Sequence, residues 1–92
     1  MKLIWSRRGL ADKDAIWNFL AERSVSYADR VERRIEGRAR SLAAVSEQGR
    51  PIPGTPIRLL SIPDIQYVIR YQVDDDAIRI TGIFSTARGE TE

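Results

Sequence analysis

The apolar positions of this chain follow two different periods. In the first half they recur every three or four residues, and in the second half they alternate with polar positions over short runs. The first period predicts amphipathic helices, whereas strict alternation predicts strands with one buried face. Residues 2–5, a short apolar segment, predict a leading strand. The sequence therefore predicts one strand, then helices, then a sheet.

Two serines predict where the helices begin. Ser6 can cap a first helix that extends to about residue 22, and Ser24 or Ser26 can cap a second one that extends to about residue 46. The short connection between them predicts an antiparallel helical hairpin. The apolar stripe of the first helix contains Leu10, Ile16, Trp17, Leu20 and Ala21. The inner stripe of the second helix contains Ala28, Val31, Ile35, Ala39 and Leu42.

The second half predicts an antiparallel meander. Residues 47–56 hold three prolines and two glycines and predict a loop. Strands are predicted at 57–61, 65–73 and 77–85, with turns at 63–64 and 74–76. The core side of the last two strands is expected to carry Tyr67, Ile69, Tyr71, Val73, Ile78, Ile80 and Phe84. The opposite side is expected to carry Gln66, Val68, Arg70, Gln72, Arg79, Thr81, Ile83 and Ser85.

These elements predict an α+β fold: a leading strand, a two-helix hairpin and a three-stranded meander, with both helices on one face of the sheet. The length of 92 residues fits a single domain over 1–92 with one core. The predicted core contains Trp17, Leu20, Val31, Ile35, Leu42, Leu59, Ile69, Tyr71, Ile80 and Phe84.

Composition narrows the chemistry. The chain has 15 basic and 13 acidic residues, and Lys2 and Lys13 are its only lysines, so arginine dominates. Arginine suits bidentate recognition of phosphate and carboxylate. The chain has no cysteine and no histidine, and we expect no cofactor and no metal site. No apolar run approaches the ~18 residues of a membrane span, and the N-terminus turns polar too early for a signal peptide, so a cytoplasmic protein is expected.

Arginines on the strands present two alternatives. Arg58, Arg70 and Arg79 are expected on or near the face opposite the core, with Arg88 just past the last strand. They could form the solvated outer side of a half-buried sheet, or a face that recognises anions. Few carboxylates lie near them in the sequence, which leaves the second alternative open.

Other charged and aromatic groups have simpler interpretations. Asp74–Asp76 is interpreted as a charged hairpin tip rather than a cation site, because one turn offers oxygen ligands from only one direction. Tyr67 and Tyr71 share the core face, which favours packing over base stacking. The second helix carries many arginines among acidic residues, and ion pairs at i,i+3 and i,i+4 are expected there rather than a nucleic-acid site. These arginines are Arg30, Arg33, Arg34, Arg38 and Arg40.

Several segments form an ordered set, although none is specific alone. They are Gly49-Arg50-Pro51, Gly54-Thr55-Pro56-Ile57-Arg58, Tyr67-Val68-Ile69-Arg70-Tyr71, Ile78-Arg79-Ile80 and Ala87-Arg88. Preceded by a strand and two helices, this set resembles the RelE/ParE superfamily of bacterial type II toxin–antitoxin toxins. The resemblance covers nearly the whole chain.

The resemblance implies a toxin neutralised by a cognate ParD-like or RelB-like antitoxin in a hetero-oligomer. RelE-like members cut messenger RNA in the ribosomal A site, whereas ParE-like members act on DNA gyrase and arrest growth. The expected target-binding residues are Arg58, Arg70, Arg79 and Arg88. The expected antitoxin-binding residues are Trp17, Arg58 and Arg70.

The chain departs from the nuclease pattern. Val68 stands where the nuclease carries a catalytic arginine, and the sequence reaches Glu92 without the C-terminal tyrosine of that branch. With no histidine and with the strand tyrosines expected in the core, no catalytic residue is predicted. The ParE-like branch and gyrase are therefore favoured. A ribosome-dependent endoribonuclease and a non-toxic partner-binding module are the alternatives, and direct nucleic-acid binding stays open.

Overall fold

The computed structural model of the protein describes residues 1–87, which form two helices and five strands. In chain order these are β1 (Lys2–Trp5), α1 (Arg7–Ala21), α2 (Val25–Ser41), β2 (Arg50–Pro51), β3 (Ile57–Ile62), β4 (Tyr67–Val73) and β5 (Ala77–Ser85). Neither helix of this region combines the length and apolarity needed to cross a bilayer.

The strands form one mixed sheet in the order β1-β5-β4-β3-β2. β1 runs parallel to β5 at one edge, and all other neighbours are antiparallel. Both helices share one core with the sheet, which confirms the predicted α+β arrangement. The loop composition of residues 47–56 hides the short strand β2. Its Pro51 has no N–H to donate, which an edge strand tolerates.

Helix α1 is capped by Ser6, as predicted, since Ser6 Oγ accepts a hydrogen bond from the Gly9 N–H at 3.0 Å. Its first turn lies directly against β5, because a Cβ atom on Gly9 would stand only 2.7 Å from the Ile80 carbonyl oxygen. Only glycine allows such a close backbone approach. The predicted stripe is wrong at Leu10, which is 44% exposed, because the helix meets the sheet through Gly9 and Ile16 instead.

Helix α2 is capped by Ser24, whose Oγ accepts a hydrogen bond from the Tyr27 N–H at 3.1 Å. The helix ends at Ser41, earlier than predicted. Directly after that residue the backbone N–H groups donate to the carbonyl three residues earlier instead of four, as when the Leu42 N–H donates to the Ala39 carbonyl at 3.1 Å. Such i→i−3 bonds tighten and end the last turn. The predicted inner stripe is confirmed, since each of its five residues is at most 1% exposed.

The core lies between the hairpin and the sheet and contains most of the predicted residues. Trp17, Leu59 and Phe84 are the exceptions, and each lies outside the buried cluster. Leu20 packs against the cluster without being fully buried. The confirmed members are Val31, Ile35, Leu42, Ile69, Tyr71 and Ile80.

Strand β3 turns the other set of side chains toward the helices. Leu60 is opposite Ile69, and Ile62 is opposite Tyr67, so the even positions of β3 face the core. Leu59 is therefore only half-buried, on the face away from the helices. Two adjacent leucines satisfy alternation in either register, and a shift of one residue exchanges the faces of a strand.

A β-bulge exchanges the faces near the end of β5. The register shifts after Arg70, which is opposite Gly82, and Thr81 is left as the extra residue. Beyond the bulge Ile83 joins the core at 5% exposure, whereas Phe84 is 36% exposed. The prediction that Phe84 is inside and Ile83 outside is wrong, because the extra residue moves the alternation by one position.

Candidate functional site

The sheet face that points away from the helices carries three arginines. Arg50 on β2 is opposite Leu59 on β3, which is opposite Arg70 on β4. Residues opposite one another on neighbouring strands share a face. Arg79 on β5 belongs to the same face, since its partner Gln72 follows Arg70 by two positions. We call the surface formed by Arg50, Leu59, Arg70, Gln72 and Arg79 the open face. Arg70 and Arg79 lie where the alternation of the sequence predicts them.

Arg70 is fixed at the bulge. Its Nε donates a hydrogen bond to Thr81 Oγ1 at 3.1 Å, and its Nη2 donates to the Thr81 carbonyl at 3.0 Å. The guanidinium lies over Gly82, where a Cβ atom would stand 2.8 Å from Nη2. The missing side chain at Gly82 is therefore what allows Arg70 to lie flat across β5.

Asp12 on α1 lies beside the same glycine, and sequence analysis missed it. Its Oδ2 accepts a hydrogen bond from the Ile83 N–H at 2.9 Å, and its Oδ1 accepts one from Arg8 Nε at 3.2 Å. β1 pairs with β5 only up to Ile80, so within residues 1–87 no strand lies beside the rest of β5 on that side. Asp12 occupies this edge. No local signal identifies it, because its role depends on how α1 packs against β5.

Arg79 lies near the hairpin tip and is partly neutralised. Its Nε lies 3.2 Å from Asp74 Oδ2, and both side chains are about 40% exposed, at 41% and 39%. The Asp74–Asp76 segment forms the predicted turn, closed by a hydrogen bond from the Asp74 N–H to the Ala77 carbonyl at 2.8 Å. Arg79 therefore remains accessible to a partner that can replace Asp74.

Arg58 is not on the open face, which corrects its predicted placement. Arg58 is opposite Tyr71 and shares its core-side face, because the even positions of β3 face the core. Leu59, at an odd position, is on the other face. Its Nη1 donates to the Gly49 carbonyl at 2.7 Å and, more weakly, to the Glu47 carbonyl at 3.4 Å. Arg58 holds the loop that leads into β2, and through this loop it helps to place Arg50.

Trp17 connects the two helices. Its indole Nε1 donates to Asp29 Oδ1 at 2.9 Å, and its ring is half-buried. Arg88, the remaining predicted site residue, lies outside the described residues.

Comparisons with known proteins show the family to which this chain belongs. Residues 3–89 match the family described as "ParE toxin of type II toxin-antitoxin system, parDE". The chain belongs to the ParE toxin family. It is similar to Toxin RelE2 of Caulobacter vibrioides (strain ATCC 19089 / CIP 103742 / CB 15), with 37% identity over 87 residues that cover 95% of this chain and 97% of that protein. These matches confirm the predicted superfamily and make the chain a toxin of a type II toxin–antitoxin module.

The fold is also similar to a solved structure described as "Chromosomal ParDE TA system from P. aeruginosa". The TM-score is 0.82 and the identity 26%, over 92% of this chain and 95% of that one. This similarity covers the two helices and the mixed sheet, and it confirms the predicted fold class.

The tyrosines of this ParE-family toxin's sheet lie away from the open face. Tyr71 is fully buried, and its hydroxyl donates to the Ser46 carbonyl at 2.7 Å and accepts from the Gly49 N–H at 2.9 Å. Tyr67 shares the core-side register and is 5% exposed. Within residues 1–87, no group of three or more acidic, histidine or cysteine side chains could hold a metal ion.

Apolar side chains accompany the arginines of this ParE-family surface. Leu59 lies between Arg50 and Arg70, and Phe84 projects from the same side next to Val68. Interfaces between proteins combine such apolar and aromatic groups with arginines. The open face is therefore suited in composition to a protein partner.

Proposed function

We propose that this ParE-family toxin arrests growth in the cytoplasm by binding DNA gyrase through the open face. The observation that supports this most is the chemistry of that face within residues 1–87, where guanidinium and apolar groups occur without a histidine and both sheet tyrosines lie on the core side. A guanidinium stays protonated in proteins and donates without accepting, so it cannot act as a general base. Such a face favours binding over proton transfer.

The residues contribute differently to this proposal. Arg70 and Arg79 are the proposed direct contacts, and Arg50 joins them because it shares their face. Arg88 remains a proposed contact from outside the described residues. Arg58 is proposed to act indirectly, since its Nη1 is bound to the loop before β2.

The proposed antitoxin is a ParD-like or RelB-like protein that forms a hetero-oligomer with the toxin. A disordered antitoxin segment can cover a large surface for its size. Its carboxylates would pair with Arg70 in bidentate geometry. Its apolar side chains would pack beside α1, next to the half-buried ring of Trp17. The antitoxin would then cover the surface that the target needs.

Ribosome-dependent cleavage of messenger RNA is the second candidate, because the relative that is 37% identical is named Toxin RelE2. The arginines could hold an RNA phosphate in that case. The described part of the chain still provides no acid–base pair on the open face, which is why we place this candidate second.

Induction of the chain without its antitoxin tests the proposal. We expect growth arrest with a DNA-damage response and intact message, and restored growth when the neighbouring antitoxin gene is co-expressed. Arg70→Ala and Arg79→Ala should each weaken target binding roughly ten- to a hundred-fold, because a hydrogen bond to a charged group contributes about 1.5–3 kcal/mol. Arg7→Ala, which removes an exposed arginine of α1, is the matched control and should arrest growth like the wild type.

A nuclease would behave differently, because loss of one catalytic group collapses the rate regardless of binding. Message cuts that vanish in one variant while target affinity is preserved would favour the endoribonuclease. No growth arrest by a folded, abundant chain would leave only the non-toxic partner-binding module.

A further inference from the structure

Helix α2 carries three acidic residues, Asp29, Glu32 and Glu36. Asp29 accepts the Trp17 indole N–H, and Glu36 Oε2 lies 2.7 Å from Lys13 Nζ. Two of the three acidic side chains of the helix are therefore occupied by α1. Within residues 1–87 no ion pair links two residues of α2, so the expected i,i+3 and i,i+4 pairs are absent and that prediction is wrong. Among the described residues, the arginines of α2 therefore lack the neutralisation within the helix that the sequence predicts.

Three of these arginines, Arg30, Arg33 and Arg34, border an open cavity of about 520 Å³ on the outer side of α2. Arg34 is the only one of the helix's arginines with a carboxylate within 4 Å among the described residues, and its partner is Asp64 in the turn after β3. The pair is bidentate, with Nε to Oδ2 at 2.9 Å and Nη2 to Oδ1 at 3.1 Å. The cavity is lined by Tyr27, Arg30, Arg33, Arg34, Asp64 and Ile65.

The lining gives an excess of positive charge, since three guanidinium groups face one carboxylate. Arg30 lies over the Tyr27 ring, 5.2 Å from its centroid, which positions the guanidinium without neutralising it. Arg30, Arg34 and Arg38 are four residues apart and form a row along the helix. The rise along the helix axis from one to the next is about 6 Å, because a helix rises 1.5 Å per residue. The outer side of α2 thus presents a row of cations about one turn apart.

The residues around this cavity favour the phosphate backbone of a nucleic acid over a protein partner. A protein interface needs an apolar core depleted of charge, and four of the six residues that line this cavity are charged. Nucleic acids can be bound by backbone charge alone, through release of counterions. Single-strand binding sites often combine a basic groove with an aromatic ring, and Tyr27, 37% exposed, lies at one end of the row.

We propose that the outer side of α2 binds the phosphate backbone of a nucleic acid, with Arg30, Arg33 and Arg38 as phosphate contacts and Arg34 fixed by Asp64. This surface is distinct from the open face, because the helices cover the opposite side of the sheet. Its test therefore does not depend on gyrase as the target.

Fluorescence anisotropy with the full chain and a labelled oligonucleotide, as a single strand and as a duplex, tests the proposal between about 50 mM and 200 mM salt. The variant Arg30→Gln/Arg33→Gln/Arg38→Gln should bind at least about tenfold more weakly, and the slope of log affinity against log salt should fall by about one per arginine removed. The control Lys2→Gln/Arg7→Gln/Arg8→Gln removes the same charge from β1 and α1, and it should retain the wild-type slope. Circular dichroism checks that both variants are folded.

Binding of the single strand or of the duplex supports the proposal, provided that polyglutamate of equal charge competes poorly. The oligonucleotide that binds more tightly identifies the preferred nucleic-acid backbone. Equal losses in the two variants would overturn it, because net charge alone would then explain binding. Absence of binding at the lowest salt would also overturn it. Competition by polyglutamate as strong as that of the oligonucleotide would assign the surface to an acidic protein segment instead.

Discussion

At the scale of single residues, Tyr71 illustrates how the sheet supports the open face from behind. Its buried hydroxyl bonds both the Ser46 carbonyl and the Gly49 N–H, and therefore satisfies two backbone groups of the loop before β2. Arg58 Nη1 bonds the Gly49 carbonyl in the same loop. Arg50 follows directly in the chain, so core residues determine where this arginine of the open face is placed.

Tyr71→Phe tests this support. The change leaves the buried Gly49 N–H without its partner, and such a loss costs about 1–3 kcal/mol. We expect the free energy of unfolding to fall by that amount in equilibrium urea denaturation. Tyr27→Phe, at a 37% exposed position, is the control and should change the unfolding free energy by less than about 0.5 kcal/mol. An unchanged midpoint for Tyr71→Phe would contradict the hydrogen bonds described for its hydroxyl.

At the scale of elements, the bulge in β5 sets which side chains belong to the core. Ile83→Ala should destabilise the protein by about 2–5 kcal/mol, because it opens a cavity in the core between the helices and the sheet. Phe84→Ala should cost about 1 kcal/mol or less, since that ring is partly solvated. Urea unfolding of both variants measures the difference. A larger loss for Phe84→Ala would mean that β5 keeps strict alternation without a bulge.

The elements other than β2 could be predicted because their signals are local. Ser6 and Ser24 cap the helices, and the stripe from Ala28 to Leu42 has helical spacing. Which side chains of β3 and of the end of β5 face the core could not be predicted, since both depend on pairing with β4. Leu59 and Leu60 are equally apolar, and the extra residue at Thr81 has no signal of its own.

The ion pair between α2 and the turn after β3 predicts a pH dependence. Hydrogen bonds from Arg34 lower the pKa of Asp64 below its ordinary value of 3.8. Because the folded state holds the proton less readily than the unfolded chain, the pair stabilises the fold above about pH 3.8, and this contribution is lost as the pH falls through the lowered pKa. NMR titration of the Asp64 carboxyl should give a midpoint below that of the Arg34→Gln variant. Equal midpoints would contradict the pairing.

At the scale of the whole molecule, two arginine surfaces lie on opposite sides of one small core. Alternation along β4 and β5 predicts Arg70 and Arg79 on the open face, because the two-residue period of a strand determines the face of each side chain. It does not predict Arg50 or Asp12, whose positions depend on pairing of an irregular loop and on packing of α1. The cations of α2 were expected to be neutralised within the helix, but Asp29 and Glu36, two of its three acidic residues, bind α1 instead.

The most direct test of the central claim uses purified DNA gyrase, plasmid DNA and the purified chain. We predict that the wild-type chain blocks supercoiling and traps gyrase on cleaved DNA, and that Arg70→Ala needs roughly ten- to a hundred-fold more protein for the same effect. The same preparations should leave messenger RNA on translating ribosomes intact. Gyrase that stays fully active at every concentration of folded toxin, while ribosome-bound message is cut, would contradict the proposed function.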